Sequence, residues 1–152
     1  MYNSIAKAIT RQLHTAWPNT PVYALEEMKQ GINEPCFLVT MVSAFRDKVV
    51  GQLYRYDPTY AVQYFPSTST PREECAGVLA DLDDVLEYVT INYVQGNDLI
   101  EKKVRRTAME GVIVDDVMTA TVRYENFWHK LAADDLMEKA ETEIALKGES
   151  NG

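Results

Sequence analysis

The chain has 152 residues, 46% hydrophobic and 25% charged, an ordinary globular composition with enough length to bury one core. Fifteen Lys and Arg against 23 Asp and Glu give a net charge of -8, which repels nucleic acid and argues against a dedicated DNA-binding role. No apolar run approaches the ~20 residues that span a bilayer. The opening Met1-Tyr2-Asn3-Ser4 lacks the basic region and apolar block of a signal peptide. Two cysteines, Cys36 and Cys75, are too few for a disulfide framework and are expected as buried thiols.

In chain order, the first expected element is a helix with Asn3 or Ser4 as its N-cap. Ile5, Ile9, Leu13 and Trp17 fall four apart, with Ala6, Ala8 and Ala16 nearby, which makes one apolar stripe. Pro18 stops it, because the residue before proline avoids the α region. Residues 22–25 form a short candidate strand. Residues 36–45 are apolar on both faces, as in a central strand covered at least partly on both sides. Strands over 49–56 and 59–65 follow, joined by a hairpin turn at Asp57-Pro58. Their tyrosines, Tyr54, Tyr56, Tyr60 and Tyr64, suit a half-buried pleated surface.

Thr70-Pro71-Arg72-Glu73 reads as a capping box with proline at the first helical position. Behind it Cys75, Val78, Leu79, Leu82, Val85, Leu86 and Val89 recur at spacings of three and four, so this second helix must lie on the strands. A turn around Gly96 and a short strand over 98–101 come next. Residues 103–114 and 117–127 form a hairpin across Asp115-Asp116. In its second arm Met118, Ala120, Val122 and Tyr124 alternate with Thr119, Thr121, Arg123 and Glu125, the period of a strand with one wet face. Residues 130–147 are helix-like, with a thin stripe of Leu136, Met137, Ala140 and Ile144. The fold class expected is α+β: a mostly antiparallel sheet with two helices packed against it. The order is α-β-β-β-β-α-β-β-β, with a C-terminal helical extension after it.

A catalytic constellation is missing. His14 and His129 are far apart, and neither has an acid or cysteine at metal-ligand spacing. Asp81, Asp83 and Asp84 read as a solvated helix face, because 81 and 84 point one way and 83 another. Phosphate-cradling glycine loops and the nucleophile elbow are absent too. The protein is therefore expected not to be an enzyme and to need no metal or cofactor. Lys102, Lys103, Arg105 and Arg106 form the one basic cluster. Three readings stay open for it: phosphate contact, contact with an acidic neighbouring subunit, or a charged edge that blocks strand aggregation.

One stretch carries a resemblance. Gln30-Gly31, then Glu34-Pro35-Cys36-Phe37, then Val62-Gln63-Tyr64-Phe65-Pro66-Ser67 and Glu73-Glu74-Cys75 stand in an order that resembles the tail terminator family of long-tailed bacteriophages and prophages. The resemblance covers residues 1–128 as a tail-terminator-like α+β domain and leaves 129–152 as a helical or flexible extension. It implies a structural virion protein, made in the bacterial host cytoplasm, that forms a ring of six subunits. That ring would cap the head-proximal end of the tail tube, stop its polymerisation and offer a surface to the connector. The implied partners are further copies of the chain, the tube protein, and sheath and connector proteins, with DNA passing through an acidic lumen without specific binding. Candidate subunit or tube contacts are Lys102, Lys103, Arg105, Arg106, Leu136, Met137 and Ile144. The rival reading is a non-enzymatic monomeric or dimeric binding or assembly module of prophage origin.

Overall fold

The computed structural model describes residues 2–95 and 97–129. The chain runs α1 (Tyr2–Ala16), β1 (Val22–Ala24), a 3₁₀ turn (Leu25–Gln30), β2 (Cys36–Ser43), β3 (Arg46–Val50), β4 (Leu53–Tyr56) and β5 (Thr59–Phe65). Then come α2 (Pro71–Val85), β6 (Tyr88–Gln95), β7 (Asp98–Arg105), β8 (Ala108–Val114), β9 (Val117–Arg123) and β10 (Asn126–His129). Two helices and mostly antiparallel sheets make the expected α+β fold, and β1 on β2 is the parallel pair. The expected helical extension over 130–147 lies outside the described residues.

Both helices cover the same face of the five-stranded sheet β1-β2-β5-β9-β8. From α1 come Ile5, Ala8, Ile9 and Leu13, and from α2 Cys75, Val78 and Leu82, all buried. They meet Phe37 of β2, Tyr60, Val62 and Tyr64 of β5, and Met118, Ala120 and Val122 of β9. Trp17 extends the α1 stripe past the helix end and sits 5.0 Å from the Phe37 ring. The helix starts at Tyr2, so neither Asn3 nor Ser4 is its N-cap. Its wet side is stitched to the end of α2 and to β6: Gln12 Nε2 donates to the Val85 carbonyl at 2.9 Å and Arg11 to that of Thr90 at 2.6 Å.

Several local readings are corrected. Thr70 occupies the N-cap position of α2 with Pro71 behind it, but its side chain makes no capping hydrogen bond, so the capping box does not form. The helix closes at Val85 with Leu86 as C-cap, and Val89 belongs to β6, where alternation buries it beside Val104. The turn expected over 93–97 is mostly strand, since β6 runs to Gln95. The strand expected over 103–114 is two, broken at Arg106-Thr107 between β7 and β8. At the β8–β9 hairpin, Asp115 and Asp116 take φ of +52° and +61°, the two-residue turn whose left-handed backbone Asp tolerates.

The larger correction concerns Asp57-Pro58, which is a bend within a strand and not a hairpin turn. β4 pairs with β3 and β10 in a separate three-stranded sheet, and β5 pairs with β2 and β9. Yet the register runs through unchanged: Thr59 stands opposite Arg123 on one side of the bend, Tyr56 opposite Asn126 on the other. β4–β5 and β9–β10 are thus one long ribbon bent across Asp57-Pro58 and Tyr124-Glu125. β2 and β3 track it on the neighbouring line, and the true reversal is at Gly51-Gln52, where Gly51 has φ +56°. The tyrosines divide accordingly, with Tyr60 and Tyr64 under the helices and Tyr54 beyond the bend.

Glu74, in the first turn of α2, anchors the connection from β5. The Tyr64 hydroxyl donates to Glu74 Oε2 at 2.5 Å, while Oε1 is buried without a partner in hydrogen-bond geometry. Burial alone would raise the Glu74 pKa, but hydrogen bonding from Tyr64, Thr68 and the Ser67–Thr68 backbone holds it below the usual carboxylate range. Burial, with the hydrogen bond to Glu74, pushes the Tyr64 phenol above its ordinary value.

Both the packing and the anchor can be tested by unfolding. Leu82→Ala removes a fully buried side chain between α2 and the sheet and should cost ~2–5 kcal/mol in denaturant unfolding. Glu74→Gln should destabilise the domain at neutral pH. Because the folded carboxyl titrates below its unfolded value of about 4.3, its contribution is present above that pH and is lost as pH falls through the folded value. The stability gap between the two proteins, measured by urea unfolding, should close on acidification below the ordinary glutamate range; a gap independent of pH would contradict this.

Candidate assembly interfaces

The basic cluster is divided by strand geometry. Along β7, Lys102 and Val104 point inward and Lys103 and Arg105 outward. Lys102 Nζ donates to the Phe127 carbonyl at 3.2 Å, and burial lowers its pKa. Arg106 reaches α2, donating to the Asp83 carbonyl at 2.9 Å and to its carboxylate at 2.5 Å. It stands near the C-terminal end of that helix, where the dipole favours a cation. Lys103 is exposed, and exposed Arg105 lies 3.7 Å from Glu87. Thus two of the four cations brace their own fold and two face outward. A shallow groove of about 370 Å³ beside them is lined by Lys102, Arg106, Glu125 and Phe127 among others. Leu136, Met137 and Ile144 lie outside the described residues.

Asp81, Asp83 and Asp84 are all exposed, and Asp83 is the partner of Arg106. His14 is exposed in the last turn of α1. Cys36 and Cys75 are free and buried, as expected, and burial raises both thiols. Among the described residues no group of three metal-donating side chains comes together. A second groove, about 460 Å³, runs between α1 and β1 past Lys7, Arg11, Tyr23 and Glu27.

The feature that sequence reasoning missed is the arm beyond the bend. Every residue of β3 is exposed. Phe45, Val49 and Val50 present 50%, 51% and 68% of their surface, and Met41 and Val42 near the end of β2 present 47% and 60%, apolar side chains that the core does not use. Polar contacts stiffen the arm without covering it. Asp47 pairs with Arg55 at 3.0 Å, Arg55 reaches Glu125 at 3.5 Å, and the Arg46 guanidinium stands 5.1 Å from the Tyr54 ring centroid. The available signal was Val49-Val50-Gly51-Gln52, a glycine between two β-prone runs. Among the described residues no helix covers the other face of the five-stranded sheet, where Ala61, Gln63, Thr119 and Thr121 are half-buried and Gln63 donates to the Thr119 hydroxyl at 3.3 Å.

Charge reversals should separate the two halves of the basic cluster. Lys103→Glu is expected to change stability by less than about 1 kcal/mol. Arg106→Glu sets a carboxylate against Asp83 at a helix C-terminus and should cost roughly 1–3 kcal/mol. Equal urea midpoints for the two variants would refute the bracing role of Arg106.

What these surfaces offer is strand edges, apolar patches and shallow grooves, the means of fitting one protein to another. No curated protein matches the chain. A family model described as phage tail terminator protein matches residues 4–135, a span that takes in nearly all of α1, all of α2 and every strand from β1 to β10. The chain belongs to the phage tail terminator protein family, whose members are structural parts of the tail.

Proposed function

We propose that the protein closes the head-proximal end of a phage tail tube as a ring of six copies. The family match over residues 4–135 carries this reading, and the apolar arm supports it by supplying surface that a lone subunit leaves bare. The mechanism is geometric. Subunits meet head to tail through unlike patches, and the rotation between them closes a ring. The lower face imitates the next tube layer, whereas the upper face does not, so polymerisation stops and the connector finds its binding surface. Lys103 and Arg105, the outward cations, serve subunit or tube contacts. The segment 130–152 lies on a neighbouring subunit, the sheath or the connector through Leu136, Met137 and Ile144. A net charge of -8 suits a lumen through which DNA slides without adhering.

Electron microscopy of tails carrying a labelled copy tests this. One labelled ring at a single tube end is expected. Label along the whole tube would make the chain a tube protein instead. A monomer or dimer that never joins a tube end would favour a separate assembly module. Tight, salt-sensitive DNA binding by the purified protein would contradict the unadhesive lumen.

A further inference from the structure

We propose that the outer edge of β3 pairs with the outer edge of β8 on a second copy of this chain, and that this strand-to-strand contact joins neighbouring subunits. The inference rests on the ring reading for its setting but on the sheet edges for its content.

β3 closes one side of the three-stranded sheet and β8 one side of the five-stranded sheet, so among the described residues each shows a row of unpaired backbone groups. Because β3 continues the line of β2, and β10 that of β9, these two edges lie on opposite sides of one bent sheet. A contact from one edge to the other therefore runs head to tail. Each edge carries exposed valines. Val49 and Val50 on β3 are 51% and 68% exposed, and Val112 and Val114 on β8 are 45% and 59% exposed. Such edges are aggregation templates unless an assembly covers them.

Charge selects the occupant. On β3, Asp47 is taken by Arg55, which leaves Arg46 and Lys48 as the charges without an opposing carboxylate among the described residues. On β8 and its turn stand Glu110, Asp115 and Asp116, all exposed, and none is in an ion pair among the described residues. Pairing β3 antiparallel with itself about its centre sets Lys48 against Lys48, and β8 with itself gathers acids. Like charges directly opposite on a ladder are destabilising. β3 on β8 brings opposite charges together, and the seven residues of β8 accept all five of β3. Because the two edges lie on opposite sides of the sheet, a head-to-tail pair leaves one edge of each copy open, so the contact propagates until rotation closes it.

The test uses the full chain with paired cysteines, Lys48→Cys with Glu110→Cys and, for an alternative register, Lys48→Cys with Val112→Cys. The native Cys36 and Cys75 are buried and do not compete. After mild oxidation at high protein concentration, a ladder beyond the dimer is expected on a non-reducing gel for at least one pair. No single-cysteine variant can exceed a dimer. In parallel, light scattering of the native chain at the same concentration should show a multimer, Lys48→Glu should abolish it, and adding Glu110→Lys should restore it. Absence of a ladder from both pairs, dimers alone, or failure of the double variant to recover the multimer overturns the contact. If a single ring still caps the tube while these results fail, the contact is wrong and the terminator reading stands. If the ladder forms while label decorates the whole tube, the contact stands and that reading falls.

Discussion

The bend at Asp57-Pro58 and Tyr124-Glu125 is the constraint on which the rest of the structure depends. Pro58 has no N–H to continue the ladder, but its carbonyl accepts the Tyr124 N–H at 3.2 Å, so the two strands cross the bend together. Asp57 is buried; its N–H donates to the Phe45 carbonyl at 2.8 Å and its carboxylate pairs with Arg123. Tyr124 is fully buried and donates its hydroxyl to the Leu86 carbonyl at 2.6 Å, which ties the bend to the end of α2. Burial raises the Tyr124 pKa, keeping that donor protonated. The strand segments on one side of the bend thus lie under the helices, and those on the other form the arm.

α2 is the hub of this arrangement. At its first turn Tyr64 grips Glu74, at its last Arg106 grips Asp83, and past its end Tyr124 grips the Leu86 carbonyl. Between these polar ties the contact is apolar and close. A Cβ on Gly111 of β8 would stand 2.5 Å from a Leu79 methyl, so the bare glycine is what lets the helix settle on that strand. Burying the Tyr64 and Tyr124 hydroxyls is tolerable here because each has an acceptor; an unpaired one costs about 1–3 kcal/mol. The same three ties fix the position of the helix along the sheet as well as its distance from it.

How much of this was legible in the sequence depends on the range of each signal. The apolar stripes of Ile5, Ile9, Leu13 and of Cys75, Val78, Leu82 are local, and both helices stand where periodicity placed them. The alternation in 117–123 was equally local and equally plain. Asp57-Pro58 misled because proline marks both a turn and a strand interruption. Only the non-local pairing with Tyr124 decides between them. Val89 misled because a strand that comes soon after a helix can extend its apolar spacing by chance. At the site, the basic residues were visible as a cluster, but which face each took depended on the strand period and on the partner Asp83. The apolar arm was hidden for a different reason. Valine and phenylalanine in strands read as core, and nothing in composition says that a core has been left outside.

The two parts of the bent sheet are packed unequally. The part under the helices holds the large buried side chains, Tyr60, Phe37, Leu82 and Met118 among them. The arm holds few, so its ladder bonds are the ones expected to open at the lowest free energy. Tyr56 of β4 joins the core cluster and Tyr54 packs against it, whereas Val49 and Val50 stay exposed. The charges on it act in the same sense. Arg46 and Lys48 stand on an exposed edge strand, where like charges oppose its pairing with a second copy of itself. An edge that is apolar enough to bind and charged enough to choose is what a subunit needs if it is to wait in solution and then assemble once, at one place.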